Sequence, residues 1–438
     1  EEEEEEEGGG GGGCGLLNVS CIVDRLNSHM PVWDKDGDYF SSQFIRGFRG
    51  SHWRGADCND NDDEIYPGRK KRGKEEENEN YLIDHDCNGI YGKNDSMKMA
   101  DYEDMFCSNS DRRGLIALGD SATAHFHLPP QWLSPNGWEL DSLLSNAMDE
   151  LDFPQCSWSS GYLNTTSQCP YAPRPNALSK GLLSLAGRLR ARNLCNHRDF
   201  QNLGVNGMRS GPAVDLVKTV KRDQVLDHPA LVLFSLIGND VCNGHPGTTH
   251  MTPPEKFLTS VKESLAELDK ILPNGSFVVM QGLVDGRVLW DTMHAQTHPL
   301  GPKYHEVYDF LACEGISPCN GWLNSNETLR NITSEWAFSL NKQYQEIMQS
   351  SSESYGNFKL GYFQPDWFGM LRNYTLQYGA PATDLIEPSD GFHPSQVGNE
   401  LLAQEIWQWL EAKFPESIGS VNPFNEEIKR IFGDQGGY

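Results

Sequence analysis

Four short apolar runs punctuate the later three quarters of the chain: GLIALGD (114–120), PALVLFSLIGND (229–240), GSFVVMQGLVDG (275–286) and NFKLGYF (357–363). Each is rich in Val, Leu, Ile or Phe and is followed by a Gly or Asp turn. Their apolarity is continuous rather than alternating, the pattern of parallel strands covered on both faces. Between them lie stretches with apolar residues at helical spacing, EKFLTSVKESLAELDKIL (255–272) being the clearest. Strand and helix in alternation predict an α/β domain over 111–438. In open sheets of this kind the site gathers at the carboxyl ends of the strands, where GDS (119–121) and GND (238–240) fall. Residues 287–355 are too long and irregular for one crossover and predict an insertion.

Upstream the texture changes. Residues 1–13 are Glu and Gly only and predict a disordered tail. A short cysteine-containing segment occupies 14–30, and 31–110 is dense in Asp, Asn and Gly with little hydrophobic periodicity. The formal charge is −26, seven units of it from the leading glutamates. Such a balance argues against nucleic-acid partners and for cation binding. No apolar run reaches the ~18 residues of a membrane span. No signal peptide is visible, yet seven Asn-x-Ser/Thr sequons, at Asn18, Asn94, Asn164, Asn274, Asn326, Asn331 and Asn373, and eleven cysteines suit a secreted or lysosomal protein. Cys156/Cys169 and Cys313/Cys319 stand as close pairs, and the odd count leaves one thiol over.

Three acidic clusters recur: DKDGDYF (34–40), DCNDNDDEIYPG (57–68) and DHDCNG (84–89). Carboxylates at alternate positions in a turn-forming loop can converge on one hard cation, and several oxygen ligands per site is calcium chemistry. The candidate ligands are Asp34, Asp36, Asp38 and Phe40 in the first loop. Asp57, Asn59, Asp60, Asp62 and Glu64 follow in the second, and Asp84, Asp86, Asn88 and Ile90 in the third, with backbone carbonyls filling gaps. Cys58 and Cys87 could staple two of the loops together. The basic stretch RKKRGK (69–74) between them reads as an exposed loop.

An activated serine needs a base, an orienter for that base and donors for an oxyanion. Ser121 ends the first apolar run, and EPSDGFHPS (387–395) holds Asp390 and His393 three residues apart. His393 would be the base and Asp390 the group that holds its tautomer. Asn239 could donate its amide to the oxyanion and Gly207 its backbone N–H. His125 and His127 are weak zinc candidates and better placed to meet substrate, while Arg198 suits a phosphate. Trp290 and Trp322 read as core packing rather than as an acyl channel.

The four blocks GDS, Gly207, GND and DGFH resemble those of the GDSL, or SGNH, hydrolases. The resemblance implies a flavodoxin-like three-layer fold, an ester substrate, Ser121 as nucleophile, Gly207 and Asn239 as oxyanion donors, and Asp390 and His393 completing a triad. GxSxG, the signature of elbow-type hydrolases, is absent. A narrower resemblance, to the acyloxyacyl hydrolase family, rests on GDSATAHFH (119–127), CNHRDFQN (195–202), IGNDVC (237–242), LPNGS (272–276), DGFHP (390–394), the ending NPFN…FGDQGGY and RGSHWRGADCNDNDDEIYPGR (49–69). It implies removal of secondary fatty acyl chains from the lipid A of lipopolysaccharide, bound Ca2+, and a saposin-like small subunit joined by disulfide. CGLLNVSC (14–21) resembles only the end of that module. The rival readings are a broader phospholipase or lipase and a non-catalytic calcium-dependent lipid-binding protein.

Overall fold

The computed structural model describes residues 18–42, 46–71, 80–94, 100–133, 146–351 and 354–438. The expected tail 1–13, Cys14 and Lys74 lie outside them. Each apolar run becomes a buried strand: β1 (Gly114–Gly119), β3 (Ala230–Ser235), β4 (Ser276–Gln281) and β5 (Phe358–Phe363). The strand not singled out by its pattern is β2 (Phe200–Gly204), whose FQNLG has too few apolar residues to stand out. All five are parallel and lie in the order β2-β1-β3-β4-β5. This is the flavodoxin-like order, whose switch point lies between β1 and β3. Ser121 is two residues past the end of β1 and so lies at that point.

Alternate side chains feed opposite faces. Ile116, Val232, Phe234, Val278 and Met280 enter one core, and Leu115, Leu231, Leu233, Phe277 and Val279 the other. Helix α1 (Pro254–Ile271) covers the first face through Phe257, Val261, Leu265 and Leu268, a stripe at helical spacing. Helix α2 (Arg287–Met293) and helix α3 (Tyr304–Cys313) follow β4, and then comes α4 (Glu327–Ser351), which packs on α1 as an ordinary crossover. The insertion is therefore shorter than 287–355: α2, α3 and their loops are the addition. Helix α5 (Gln396–Lys413), capped by Ser395 accepting from the Gly398 N–H, covers the second face with Leu402, Ala403, Ile406 and Leu410.

The acidic region is fixed to the sheet rather than strung beside it. Buried Arg54 donates to Gln201 Oε1 (3.1 Å) and Thr219 O (3.0 Å), and Tyr66 donates to Asp227 (2.8 Å). Disulfides join Cys58–Cys87, Cys107–Cys195, Cys156–Cys169 and Cys242–Cys319. Cys313 is thus not the partner of Cys319. It is an exposed free thiol at the end of α3.

Candidate active site

The chain turns from β1 into a short helix at Asp120, whose carboxylate accepts from the Ala122 N–H (3.1 Å) and from the Ile237 N–H after β3 (3.0 Å). Burial pushes Asp120 up to about 6, opposed by those two N–H groups and by His393. The bond across to Ile237 sets where Ser121 stands relative to the next strand end. His393 Nε2 lies 2.8 Å from Ser121 Oγ, and His393 Nδ1 lies 2.6 Å from Asp390 Oδ2. Burial works to raise the Asp390 carboxyl. His393 and the N–H groups of Phe392 and His393 outweigh it, so Asp390 is held below the usual range. A neutral imidazole in this chain can take the serine proton while the carboxylate holds the ring.

The turn carrying Asp390 and His393 is braced from α3. Tyr304 donates to Pro388 O (2.6 Å) and Tyr308 to Gly391 O (2.8 Å). Gly391 sits at φ +63°, and a Cβ there would run into the Tyr304 ring at 2.8 Å. His127 Nδ1 meets Glu387 Oε2 at 2.8 Å with both side chains buried, which ties the segment after Ser121 to the start of the same turn. The GND loop is fixed through Asp240. Its carboxylate accepts from Ser210 N (3.0 Å), Ser210 Oγ (2.7 Å) and Thr252 Oγ1 (2.6 Å), joining it to the loop that follows β2. Sequence reasoning missed Tyr304, Tyr308, Glu387 and Asp240. The i, i+4 pair of tyrosines was the one legible signal.

Ser121, Asn239 and His393 line one cavity. Its other walls are apolar, with Val284, Val288, Leu289, Leu371, Ile386 and Phe392 among them. Trp322 packs in the core, as expected, and also presents a face to this cavity, whereas Trp290 lies outside and stacks on His294 at 5.2 Å. Gly207 occupies an exposed turn at φ +77° and is not among the cavity's lining residues.

Two further expectations are corrected. Arg198 does not face Ser121: it is buried and donates to Gly437 O (2.6 Å and 2.9 Å), Gly436 O (3.2 Å) and Cys87 O (3.4 Å), clamping the chain's end onto the acidic region. His125 lines neither this cavity nor the cleft beside it. It is the left-handed residue (φ 61°) that ends the short helix and packs edge-on against Phe153. Burial, with help from the charges of His127 and His393, pushes His125 down to about 3 against opposition from the backbone at Cys156 and Phe153.

In the acidic region the first two loops converge. Ligand-capable atoms of Asp34, Asp36 and Asp60 lie within 4.8 Å of one another, as do those of Asp36, Asp38 and Asp57. Asp36 Oδ2, Asp38 Oδ2 and Asp57 Oδ2 are buried without a hydrogen-bond partner. Buried, mutually repelling carboxylates with unused oxygens fit a hard divalent cation. Asn59 and Asp62 lie half-buried beside them, Glu64 is exposed and 3.7 Å from Arg69, and the Phe40 N–H donates to Asp38 Oδ1 (2.8 Å). The third loop differs. Asp84 accepts from Asn88 N (3.0 Å) and Gly89 N (2.8 Å), Asn88 bonds Asp86 and Glu103, and its Oδ1 accepts from the Ile90 N–H (2.6 Å). Arg112 pairs with Asp86 and with Glu103 (2.6 Å), so a side-chain cation already sits there.

The GDSL-like Lipase/Acylhydrolase family model matches residues 115–406. Acyloxyacyl hydrolase of rabbit (Oryctolagus cuniculus) is 40% identical over 94% of this chain and 70% of its own length. The mouse (Mus musculus) protein of that name is 41% identical over 93% of the chain and 69% of its own length, and the human (Homo sapiens) one 40% over 94% and 70%. With a serine, a histidine and an aspartate in hydrogen-bonded series beside an apolar cavity, the chain is an ester-hydrolysing enzyme and belongs to the acyloxyacyl hydrolase family.

Proposed function

We propose that this enzyme hydrolyses the secondary, acyloxyacyl-linked fatty acyl esters of the lipid A part of bacterial lipopolysaccharide. The observation that carries the reading is the Ser121–His393–Asp390 chain opening on a cavity walled by aliphatic and aromatic side chains. An acyl chain buried there leaves its carbonyl beside Ser121 Oγ. His393 Nε2 takes the hydroxyl proton as the C–O bond forms, and Asp390 stabilises the resulting imidazolium. Asn239 supplies an amide to the oxyanion, with the backbone N–H of Ser121 as a further donor. Proton return from His393 expels the alcohol, a 3-hydroxyacyl chain that stays on the sugar. Water then attacks the acyl-serine with His393 again as base.

Calcium would be held by Asp34, Asp36, Asp38, Asp57 and Asp60, where it neutralises buried carboxylates and rigidifies the region against the sheet; it has no place in the chemical step. A saposin-like small subunit would draw single lipids from aggregates, since exposing acyl chains costs ~0.8 kcal/mol per CH₂. Disulfides, including one at Cys21, and exposed sequons at Asn18, Asn164, Asn274, Asn326 and Asn373 support a secreted or lysosomal setting. No described helix is long and apolar enough to cross a membrane. The test is product analysis after incubation with detergent-dispersed lipopolysaccharide. Unhydroxylated fatty acids are the expected product. Release of mainly 3-hydroxy acids would overturn the assignment even with Ser121 as nucleophile.

A further inference from the structure

We propose that an open cleft beside the His393 turn receives the neutral, hydroxylated head of the substrate, and that the enzyme reads no phosphate. This rests on the lipid reading above and names the part of that substrate the site recognises.

The cleft meets the acyl cavity at Ile386, which lines both. His127, Gln131, Gln168, Gln296, Thr297 and Tyr304 give it amides, hydroxyls and ring faces, the chemistry that satisfies sugar hydroxyls in a concave site. His127 turns Nδ1 to Glu387 (2.8 Å). With Nδ1 occupied there, Nε2 is left to face a substrate hydroxyl.

What the cleft lacks decides the ligand class. Among the described residues that line the cleft or the acyl cavity there is no lysine or arginine. Arginines on segments next to lining residues are committed elsewhere. Arg174 pairs with Glu400 (2.8 and 2.5 Å), Arg287 with Asp285 (2.5 Å), and Arg209 donates to His250 O (2.6 Å). Exposed Lys303 stands at the rim and donates to Thr297 Oγ1 (3.0 Å). Asp384 lines the cleft, and Glu387 lies behind His127. A phosphate dianion placed here would face carboxylates with no lining cation to bind it, whereas a sugar hydroxyl meets amides and hydroxyls set among apolar walls that its ring can pack on.

The test uses three detergent-dispersed substrates: a bisphosphorylated lipid A, its dephosphorylated counterpart, and a nitrophenyl ester of the same fatty acid. The two glycolipids should share a kcat/KM to within about threefold. Gln168→Ala and Gln296→Ala should raise KM for both glycolipids, lowering their kcat/KM about fivefold more than that of the nitrophenyl ester. A preference above threefold for the phosphorylated lipid would overturn the proposal. So would variants that weaken all three substrates equally, because that marks loss of structure and not of head-group contact. If neither glycolipid is deacylated while the nitrophenyl ester is cleaved, the lipid reading itself falls and takes the cleft assignment with it.

Discussion

Asp240 shows how a residue without a place in the chemistry can govern it. Its buried carboxylate accepts two hydrogen bonds from Ser210, which hold the Asn239 loop to the loop after β2, and one from Thr252, which ties that loop to itself. Asp240→Ala should therefore lower kcat by about 10² with little change in KM, since a 1 Å misplacement costs that much. Steady-state kinetics on a nitrophenyl ester reads it, and an equal loss in KM with kcat intact would refute a positioning role. His125 makes a different prediction. Its folded-state proton affinity is pushed down to about 3, so between that pH and the ordinary histidine value of about 6.5 the unfolded chain binds a proton the folded one refuses. Stability must then fall as pH drops through this window. Replacing it with asparagine, which tolerates the left-handed conformation, should reduce the stability lost between pH 6.5 and 5 by about 2 kcal/mol. Urea denaturation at the two pH values measures it. Buried acids such as Asp120 work in the opposite sense, which is why the single variant must be compared with its parent.

At the scale of elements, β1, β3 and β4 were legible because both of their faces are buried, so they carry nearly continuous apolar runs, and the edge strand β5 was legible although Lys359 faces solvent. β2 was not, because Gln201 and Asn202 spend their side chains on Arg54 and Thr123 rather than on a hydrophobic core. Ser121, Asp390 and His393 could be read from short blocks because their spacing follows from the turns that hold them. Arg198 could not. Its partners, Gly436 and Gly437, lie more than 230 residues away and offer only backbone carbonyls, which leave no mark in the sequence. The brace from α3 leaves only the i, i+4 spacing of its two tyrosines in the sequence, and it yields a prediction. Gly391→Ala forces a side chain into the left-handed region, at about 1–2 kcal/mol, and against Tyr304. A loss of stability of at least that size, with kcat reduced more than KM is raised, is the expected result. Thermal unfolding and kinetics on the same preparation check both halves.

For the molecule as a whole, the acidic region, the sheet and the chain's end form one mechanical unit. Gln435 reaches Asn88 O (2.7 Å) and Leu194 O (2.9 Å), and the Cys107–Cys195 disulfide joins the same parts. Ion loss in the first two loops should therefore be felt as global stability. Chelation should lower Tm, added calcium should restore it through linkage, and magnesium should do much less. A melting curve indifferent to chelator would make the region an acidic appendage. The central claim, that Ser121 is activated by His393 and Asp390, is tested most directly by a fluorophosphonate followed by peptide mass spectrometry. One adduct, on Ser121, is expected, absent in Ser121→Ala and slowed by several orders of magnitude in His393→Ala. Labelling of the His393→Ala variant at the parent rate, or an adduct on any other serine, would contradict it.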